Sequence, residues 1–524
     1  MDIINSSIVA VYLAAMLLFG WWGKSRTKST SDYLVAGRRL GPFVYTGTMA
    51  AVVLGGASTV GGVGLGYQYG ISGAWLVIAI GSGVLILSLF FAPRLQRLKI
   101  YTVSQMLTLR YGSPRATHAS AVVMLAYTLM LCATSTGAYA TVFVVLFDWE
   151  RWLAIIVGGG VVLVYSTIGG MWSITLADQV QFIIKTIGVF ALMLPFTLGA
   201  AGGVDGARER LAAEFFQWDG IGTQTIITYF VVYTLGLLIG QDIWQRVFTA
   251  RTPTVARWGG ASAGIYCILY GIAGAIIGLA ARVALPNLDT SEGNDVVYAA
   301  VAADVLPIVI GGIVLAAAVA AMMSTASGAL IAAATVARND VTPLVAGWFG
   351  RRHTDEVEVD EHDIAGNRRW VLGLGVVTVV LAIIVDDVVA ALTISYDLLV
   401  GGLLVAILGG LVYRRGNGVG AAASMLAGTV VTVATMIVLE VRAEEKFGGV
   451  YANEPIYFGL IASAVVYLVV SLLTKPTDAS IMAAWDARLA GGGDSPLEPA
   501  GTAAATADTA THADPPTDGA AGSR

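Results

Sequence analysis

The chain has 524 residues, of which 56% are hydrophobic and only 12% are charged, and its net charge is −5. Soluble globular proteins carry about 25% charged residues, so this composition predicts a protein that lies mostly in lipid. A nucleic-acid-binding protein is excluded, because neutralising phosphates requires an excess of lysine and arginine that the chain lacks.

Apolar runs long enough to cross a bilayer follow one another from residue 7 to about residue 474. A spanning helix needs about 20 mostly apolar residues, and about thirteen runs meet that requirement. We therefore predict an all-α polytopic membrane protein with about thirteen transmembrane helices. The predicted helices comprise residues 7–22, 43–67, 72–93, 117–147, 152–170, 178–200, 224–248, 258–283, 305–336, 370–386, 388–412, 418–440 and 456–474.

Lysines and arginines are distributed unevenly between the loops on the two sides of these helices. With the N-terminus outside, 23 of the 30 positive residues lie in cytoplasmic segments, six lie in external segments, and Lys185 lies within a helix. Cytoplasmic loops of membrane proteins carry this excess of positive charge. We therefore expect a multi-pass protein of the cell membrane, with its N-terminus outside and its C-terminus in the cytoplasm.

Two segments outside the predicted helices are strongly polar. Residues 491–524 are mainly Ala, Thr, Asp, Gly and Pro. They cannot bury enough apolar surface to fold, so this tail is expected to be disordered. Residues 338–369 form the longest predicted cytoplasmic loop and contain an acidic run at 355–363. We expect a solvated, mobile loop there, with a regulatory contact as the alternative.

Glycines interrupt two of the predicted helices at comparable positions. The second helix contains six glycines between residues 55 and 66, and the seventh contains Gly236 and Gly240. The backbone groups freed by a break in a membrane helix are tolerated only where they line a site. Glycine-interrupted helices at matching places in two halves predict an inverted-repeat transporter. Glycines that only permit close helix packing are the alternative.

The ninth predicted helix carries hydroxyl groups within an otherwise apolar run. Ala321, Ser324 and Thr325 share one helix face, so one carbonyl and two hydroxyls can point at a common place. Neutral oxygens suit a monovalent cation such as Na⁺, whereas Ca²⁺ calls for several carboxylates. The alternative is that Ser324 and Thr325 bond back to their own helix backbone.

Several short motifs occur in one order between Ser31 and Arg415. They are Asp32-Tyr33, Gly37-Arg38, Leu40-Gly41-Pro42-Phe43, Gly70-Ile71-Ser72, Tyr165 with Gly169-Gly170, Asp178 with Gln181, Gln245-Arg246 and Met323-Ser324-Thr325. Together these motifs resemble the sodium:solute symporter family, which includes the bacterial proline, pantothenate and sugar symporters. The resemblance implies the leucine-transporter fold, with a five-plus-five inverted repeat formed by predicted helices 2 to 11.

The resemblance also implies a site for the coupling ion, Na⁺. In the family, two backbone carbonyls of the unwound second helix hold this ion together with one carbonyl and two hydroxyls of the ninth helix. The resemblance places these ligands on Ala51, Leu54, Ala321, Ser324 and Thr325. Asp178 matches an acid on the route of the ion toward the cytoplasm, and a structural pairing of Asp178 with Lys185 is the alternative.

Polar groups near the helix breaks and in predicted helix 11 are candidates for contacting the solute. They are Ser58, Thr59, Tyr67, Gln68, Gln241, Asp242, Tyr396 and Asp397. Asp397 is costly inside a membrane without a partner or a role, and helix gating or packing is the alternative to solute or ion contact. Proline symporters carry aspartate and serine where Val53 and Gly55 stand, and sugar symporters carry glutamine where Ser58 stands. The solute is therefore left open between an amino acid such as proline and a carboxylate such as pantothenate.

Together these features predict a Na⁺-coupled symporter that takes up a small organic solute by alternating access, and not an enzyme. We divide the chain into a first helix and cytoplasmic loop (1–42), the inverted-repeat core (43–415), two peripheral helices (416–474) and a cytoplasmic, largely disordered tail (475–524). The expected partners are Na⁺, the solute and the lipid bilayer. We expect no nucleic acid and no obligate protein partner.

The main alternative is a channel or a sensor that keeps the transporter fold without coupled transport. A selective channel is expected to show a repeated filter sequence or rings of charge, and neither is visible in the sequence. A sensor needs a signalling domain, and residues 475–524 are too short and too polar to form one. An intramembrane enzyme needs a nucleophile with a base or a metal cluster, yet the four histidines lie outside the interior of the predicted helices.

Overall fold

The computed structural model describes residues 3–147, 149–290, 294, 296–348, 363–384, 388–443, 447–450 and 452–491. Within these residues the chain is helical and forms no strand, as the predicted all-α class requires, and one isolated parallel bridge joins Leu40 and Ala250. The α-helices are, in chain order, α1 Ile3–Arg26, α2 Thr30–Val35, α3 Pro42–Val53, α4 Gly62–Tyr69, α5 Trp75–Ile86, α6 Ala92–Arg97, α7 Val103–Tyr111, α8 Pro114–Phe147, α9 Arg151–Thr186, α10 Leu194–Ala200, α11 Gly203–Arg210, α12 Thr223–Tyr229, α13 Leu235–Leu237, α14 Gln241–Val247, α15 Pro253–Ala284, α16 Val296–Ala300, α17 Ile308–Val336, α18 Thr342–Trp348, α19 Ile364–Ile384, α20 Val388–Asp397, α21 Leu404–Val412, α22 Gly418–Arg442, α23 Glu454–Leu473 and α24 Ala479–Ala490.

Shorter helical segments of two other kinds continue or connect these helices. The π-helical segments are Ala57–Gly61, Leu87–Phe91, Ile187–Met193, Phe230–Thr234, Val301–Val305, Ala337–Val341 and Leu398–Leu403. The 3-10 segments are Ala36–Arg38, Gly70–Ala74 and Ala213–Phe216. Because a π-helical turn adds a residue to the turn, it changes which face of a helix the following side chains occupy.

Ten helical runs within the described residues are long and apolar enough to cross a membrane, or eleven if one bent pair counts as a span. The predicted number of thirteen is not confirmed. Two of the ten runs, Ala57–Arg97 and Arg151–Ala200, each extend over parts of two predicted helices. Each contains a glycine with positive φ near the predicted boundary, Gly70 at +62° and Gly170 at +57°. A side chain at either glycine would be strained and would meet the backbone of another segment.

Two helices are broken where the sequence places glycines. The helix α3 ends at Val53, and the helical path resumes at Ala57. The helical run Thr223–Leu237 stops and restarts as Gln241–Val247 at an angle of 52°. Both predicted interruptions are therefore present.

The broken helices pack against long helices at the centre of the molecule. α3 contacts α9, α15 and α17, and α14 contacts both α3 and α17. α17 is buried along almost its whole length, from Gly311 to Val336. Its many alanines, glycines and serines let neighbouring helix backbones approach closely. Both breaks therefore meet α17, and the first also meets α9.

The C-terminal segment contains a helix, α24, that the prediction of a largely disordered tail does not include. Ile481, Trp485 and Leu489 recur at every fourth position, and this spacing gives a helix one apolar face. Trp485 is only 3% exposed, and α24 packs against α6 and α7. Residues 492–524 lie outside the described residues.

Residues 338–369, which we predicted to form a cytoplasmic loop, are described only at their two ends, and both ends are helical: Ala337–Val341 with α18 at the start, and the beginning of α19 at the end. Arg338, near the start of the loop, forms an ion pair of 2.8 Å with Asp363, near its end. This pair holds the two ends of the loop together. The acidic residues at 355–361 lie outside the described residues.

Candidate functional site

The break after α3 leaves backbone carbonyls without their helical partners. In a continuous helix, the amide of Gly55 would donate to the carbonyl of Ala51. Here it donates to the carbonyl of Val53 at 3.1 Å, and the helical path resumes only at Ala57. The carbonyl oxygens of Ala51 and Leu54 are therefore available to donors from other helices.

The hydroxyl-bearing face of α17 lies against this break. Thr325 Oγ1 donates to the carbonyl of Val52 at 2.8 Å and lies 3.5 Å from the carbonyl of Ala321. A Cβ at position 55 would lie 2.5 Å from Thr325 Oγ1, so Gly55 allows this close approach. The shorter bond of Thr325 crosses to the break, and its contact with its own helix is the longer one.

Asp178 lies at the centre of a buried network that joins α9 to α3, α14 and α17. It accepts hydrogen bonds from Ser324 Oγ, at 2.9 Å, and from Thr48 Oγ1. Arg246 Nη2 lies 3.2 Å from Asp178 Oδ2, and both side chains are fully buried. The ion pair of Asp178 is therefore with Arg246, whereas Lys185, the partner that the alternative named, donates to backbone carbonyls.

The ammonium group of Lys185 contacts the two carbonyls at the break that the family resemblance assigns to Na⁺. Its Nζ donates to the carbonyls of Ala51 and Leu54, at 3.0 Å each. Lys185 is fully buried in the last turn of α9. A buried ammonium group needs acceptors, because an unsolvated charge is costly. The carbonyls released by the break supply these acceptors.

The five residues expected to hold Na⁺ lie on two facing elements. Ala51 and Leu54 belong to the end of α3, whereas Ala321, Ser324 and Thr325 belong to α17, and all five are buried. Their carbonyl and hydroxyl oxygens are neutral ligands, which suit a monovalent cation better than Ca²⁺. The chemistry of these residues fits Na⁺.

A second polar cluster lies around the start of α14. Tyr127 OH donates to Asp242 Oδ1 at 3.2 Å. The ring of Tyr396 packs against those of Tyr127 and Tyr233, with centroid distances of 5.6 and 5.4 Å. Asp397 is 1% exposed, and its Oδ1 has no hydrogen-bond partner among the described residues. Tyr127 thus contacts both Asp242 and Tyr396, and Asp397 follows Tyr396 in the chain.

Ser58 and Thr59 lie just beyond the break in the second predicted helix. Ser58 Oγ is 3.4 Å from the carbonyls of both Val53 and Gly55. Thr59 accepts a hydrogen bond from Tyr270 at 3.2 Å. Both hydroxyls are buried, and that of Ser58 bonds to carbonyls of the break itself.

The remaining predicted solute residues have partners elsewhere. Tyr67 donates to a backbone carbonyl at 2.8 Å, and both ends of the Gln241 amide bond to backbone groups at 2.8 Å. Gln68 is exposed and accepts a hydrogen bond from Asn294. The side chains of Tyr67, Gln68 and Gln241 therefore bond to groups other than the carboxylate of Asp242.

Several residues that complete the two clusters were not predicted as site residues. Lys185 had a signal in the sequence as a base inside a predicted apolar helix, and Arg246 had one as a base near the end of the predicted helix 224–248. Thr48, Tyr127 and Tyr233 had no such signal. Threonine and tyrosine are common in apolar helices, and only the contacts between helices distinguish these three.

One short helix joins the two clusters. Asp242 and Arg246 are four residues apart on α14, so their side chains lie on the same face of that helix. Asp242 bonds to the tyrosine cluster, and Arg246 pairs with Asp178. A movement of α14 would therefore alter both clusters.

Comparison with known sequences identifies one family. The sodium:solute symporter family matches residues 33–428. The osmoregulated proline transporter OpuE of Bacillus subtilis is 26% identical over 494 residues, which cover 90% of this chain and 95% of that protein. The sodium/proline symporter of Haemophilus influenzae is 31% identical over 194 residues, which cover 35% of this chain and 37% of that protein.

Comparison with solved structures agrees with the helical architecture. A Na⁺-coupled sialic acid symporter, in a substrate-bound outward-open state, has a TM-score of 0.75 at 16% identity, covering 91% of this chain and 99% of that one. The nucleobase-cation-symport-1 family transporter Mhp1 has a TM-score of 0.52 at 15% identity, covering 88% of this chain and 98% of that one. At these identities the likeness shows the fold alone, which is that of the leucine-transporter group.

The family match and the clusters described above coincide. Residues 33–428 include both helix breaks and every residue of the two clusters. They also include nearly all of the motifs on which the resemblance was based. The chain belongs to the sodium:solute symporter family.

Proposed function

We propose that this protein transports Na⁺ together with a small amino acid, proline first among them, into the cell by alternating access. Na⁺-coupled solute symport is the function of the family to which the chain belongs, and Na⁺ is the coupling ion. Family and fold are those of transporters, which are not enzymes.

The observation that carries the proposal is the contact between a broken helix and a hydroxyl-bearing helix. Thr325 reaches from α17 to the carbonyl of Val52, beside the carbonyls of Ala51 and Leu54. A cation held by both elements favours the conformation in which they are close. Such a difference in contact between two conformations is what coupled transport requires.

The chemistry of the tyrosine cluster supports a solute with a positively charged amino group. Asp242 and Asp397 are buried acids, and Asp397 Oδ1 has no partner among the described residues. The rings of Tyr127, Tyr233 and Tyr396 pack against one another, the Tyr127 hydroxyl bonds to Asp242, and the faces of aromatic rings attract cations. An amino acid can direct its ammonium group toward these acids and rings. A simple carboxylate carries only a negative charge, which the acids would repel. The proline transporters among the relatives agree with this choice.

The proposed architecture has two inverted halves, formed by predicted helices 2 to 6 and 7 to 11. Each half begins with a broken helix, as in transporters whose site lies at the midplane. If Gly70 and Gly170 mark turns between spans, Ala57–Arg97 and Arg151–Ala200 each contribute to two spans. Together with the bent pair Thr223–Leu237 and Gln241–Val247, this agrees with thirteen in total. The excess of lysine and arginine in the cytoplasmic loops supports an external N-terminus and a cytoplasmic C-terminus.

The first test is uptake of labelled proline into proteoliposomes that contain the purified protein. An inward Na⁺ gradient is compared with an equal K⁺ gradient. One charge moving inward through about 100 mV provides about 2.3 kcal/mol, or roughly fiftyfold accumulation, before the Na⁺ gradient is added. We expect proline to accumulate with Na⁺ alone. Equilibration without accumulation would indicate a channel, and equal uptake in K⁺ would contradict coupling to Na⁺.

A second measurement identifies the solute without requiring transport. The thermal stability of the purified protein is measured with and without Na⁺ against amino acids, short carboxylates, pantothenate, choline, urea and sugars. A ligand that binds the folded protein at a hundred times its Kd stabilises it by about 2.7 kcal/mol. We expect the largest Na⁺-dependent shift with proline or another amino acid. A shift with carboxylates and none with amino acids would contradict the proposed solute class.

A further inference from the structure

Lys185 places a positive charge inside the proposed cation site. Its Nζ donates to the carbonyls of Ala51 and Leu54, at 3.0 Å each, and its side chain is completely buried. The helix that carries it continues directly into the π-helical segment Ile187–Met193. Such segments are frequent at functional sites.

The acceptors of Lys185 belong to a broken helix. Ionisable residues inside a membrane pair with one another or with backbone carbonyls, and long lysine side chains near helix ends extend to the interface. Asp178 lies two turns before Lys185 on the same helix, but it pairs with Arg246 at 3.2 Å. The ammonium group is therefore satisfied by two carbonyl oxygens that exist as free acceptors only because α3 is broken.

We propose that Lys185 is a specificity-determining residue of the cation site, whose ammonium group competes with Na⁺ for the carbonyl oxygens of Ala51 and Leu54. This inference rests on the proposed function, since that function assigns the same oxygens to Na⁺. The ammonium group and Na⁺ each carry one positive charge, and like charges repel strongly at short distance in a low dielectric. The two cations therefore bind the carbonyls in turn and not together.

The hydrogen bonds of the neighbouring hydroxyl groups also change when Na⁺ replaces the ammonium group. While Lys185 holds the carbonyls, Ser324 donates to Asp178 at 2.9 Å and Thr325 donates to Val52 at 2.8 Å. Binding of Na⁺ requires the lysine to withdraw along its flexible four-carbon stem and the hydroxyl oxygens to turn to the ion. Because only the fraction of protein with free carbonyls can bind Na⁺, the lysine lowers the apparent Na⁺ affinity.

The test is Lys185→Met, which keeps a long apolar side chain and removes the charge. At one fixed pH, the half-saturating Na⁺ concentration for proline uptake is expected to fall by about tenfold or more. Lys185→Arg keeps a cation and is expected to show no such fall. Arg94→Met removes an exposed positive charge from the surface pocket beside Trp258 and is expected to match the unmodified protein.

The Na⁺ response of the purified variants is also measured as thermal stabilisation, which does not depend on transport. Lys185→Gln is the second variant, to be used if the methionine variant does not fold. An unchanged half-saturating Na⁺ concentration in a folded Met or Gln variant overturns the competition. If the unmodified protein shows no Na⁺ response, the Na⁺ part of the proposed function fails. In that case the Met and Gln variants alone test the competition. A thermal response to Na⁺ that appears in a variant supports the competition, and no response in a folded variant overturns it.

Discussion

Three charged side chains, those of Asp178, Lys185 and Arg246, are completely buried at the centre of this membrane protein. A charge in such surroundings is costly unless other groups replace its hydration. Asp178 and Arg246 form an ion pair, and carbonyl oxygens accept hydrogen bonds from Lys185. Removing one partner of a buried ion pair typically costs about 3–5 kcal/mol, because the other charge is left unpaired. Asp178 and Arg246 therefore act as a unit.

The hydroxyls of Ser324 and Thr325 are predicted to supply two ligands to Na⁺. Hydrogen bonds to charged groups contribute about 1.5–3 kcal/mol each, and ligands to a cation should matter at least as much. The double variant Ser324→Ala, Thr325→Ala is therefore expected to raise the half-saturating Na⁺ concentration for uptake at least about tenfold. The measurement is the Na⁺ dependence of uptake at matched protein abundance.

The control for this double variant lies on the same helix. Ser327 Oγ donates to the carbonyl of Ser324 at 3.0 Å, a bond within α17. Ser327→Ala also removes a buried hydroxyl, and it is expected to leave the Na⁺ dependence unchanged. If the double variant also keeps the original Na⁺ dependence, the two hydroxyls are not ligands of the ion.

At the scale of elements, the break in α3 connects three helices. A break inside a membrane leaves polar backbone groups that lipid cannot satisfy. Here Lys185 of α9 satisfies two carbonyls and Thr325 of α17 satisfies a third, that of Val52. The continuous helix α17 is buried on all sides and holds its hydroxyls in place, whereas the broken helix supplies the carbonyls. The site therefore depends on the relative position of these helices.

Substituting Gly55 tests how closely α3 and α17 must approach. A Cβ at Gly55 would lie 2.5 Å from Thr325 Oγ1, and the branched side chain of Thr325 has few other rotamers. Overpacking of this kind typically costs about 1–3 kcal/mol. Gly55→Ala is expected to raise the half-saturating Na⁺ concentration for uptake several-fold.

The matched control is Gly160→Ala within α9. A Cβ at Gly160 would have no heavy atom within 4 Å, so this glycine can accept a methyl group without collision. Gly160→Ala is expected to keep both the Na⁺ dependence and the thermal stability of the unmodified protein. An equal Na⁺ dependence in Gly55→Ala and Gly160→Ala would show that the close approach at the break is not needed for Na⁺ binding.

At the scale of the whole molecule, α14 connects the two clusters through which coupling would act. It carries Asp242 into the tyrosine cluster and Arg246 into the network of Asp178. A solute that contacts Asp242 and a cation that contacts the network would both favour particular positions of α14. Two ligands that favour the same conformation increase each other's affinity, which is the thermodynamic basis of symport.

The packing of α24 is predicted to matter for stability and not for ion binding. Trp485 is 3% exposed, and α24 packs against α6 and α7. Trp485→Ala is expected to destabilise the protein by about 3–5 kcal/mol, the usual cost of deleting a buried aromatic side chain. The measurement is the thermal unfolding midpoint of the purified protein, with the half-saturating Na⁺ concentration as the second readout.

Trp21→Ala is the control for this variant, because Trp21 is 71% exposed. Trp21→Ala also deletes a tryptophan side chain, but it opens no cavity, so a much smaller change in the thermal unfolding midpoint is expected. A change in half-saturating Na⁺ concentration in Trp485→Ala, with Trp21→Ala unchanged, would show that α24 influences the cation site.

The number of membrane spans shows where local patterns stop being sufficient. The length of an apolar run predicts that a segment can cross the bilayer. It does not decide whether a glycine inside a long run bends the helix or ends it. At Gly70 and Gly170 the backbone of another segment leaves no room for a side chain, and this restriction exists only in the tertiary structure. Likewise, polarity alone did not reveal that α24 has an apolar face with a partner.

Composition, run length and periodicity by themselves determined the all-α class, the two helix breaks and the hydroxyl-bearing face of α17. These features depend on neighbouring residues, and a linear sequence contains that information. The ordered motifs likewise sufficed for the family. Only the tertiary structure decided which charged groups meet. Lys185 and Ala51 are 134 residues apart, and nothing local to either indicates their contact. An ammonium group finds its acceptors only after the packing of many helices has determined where each of them lies.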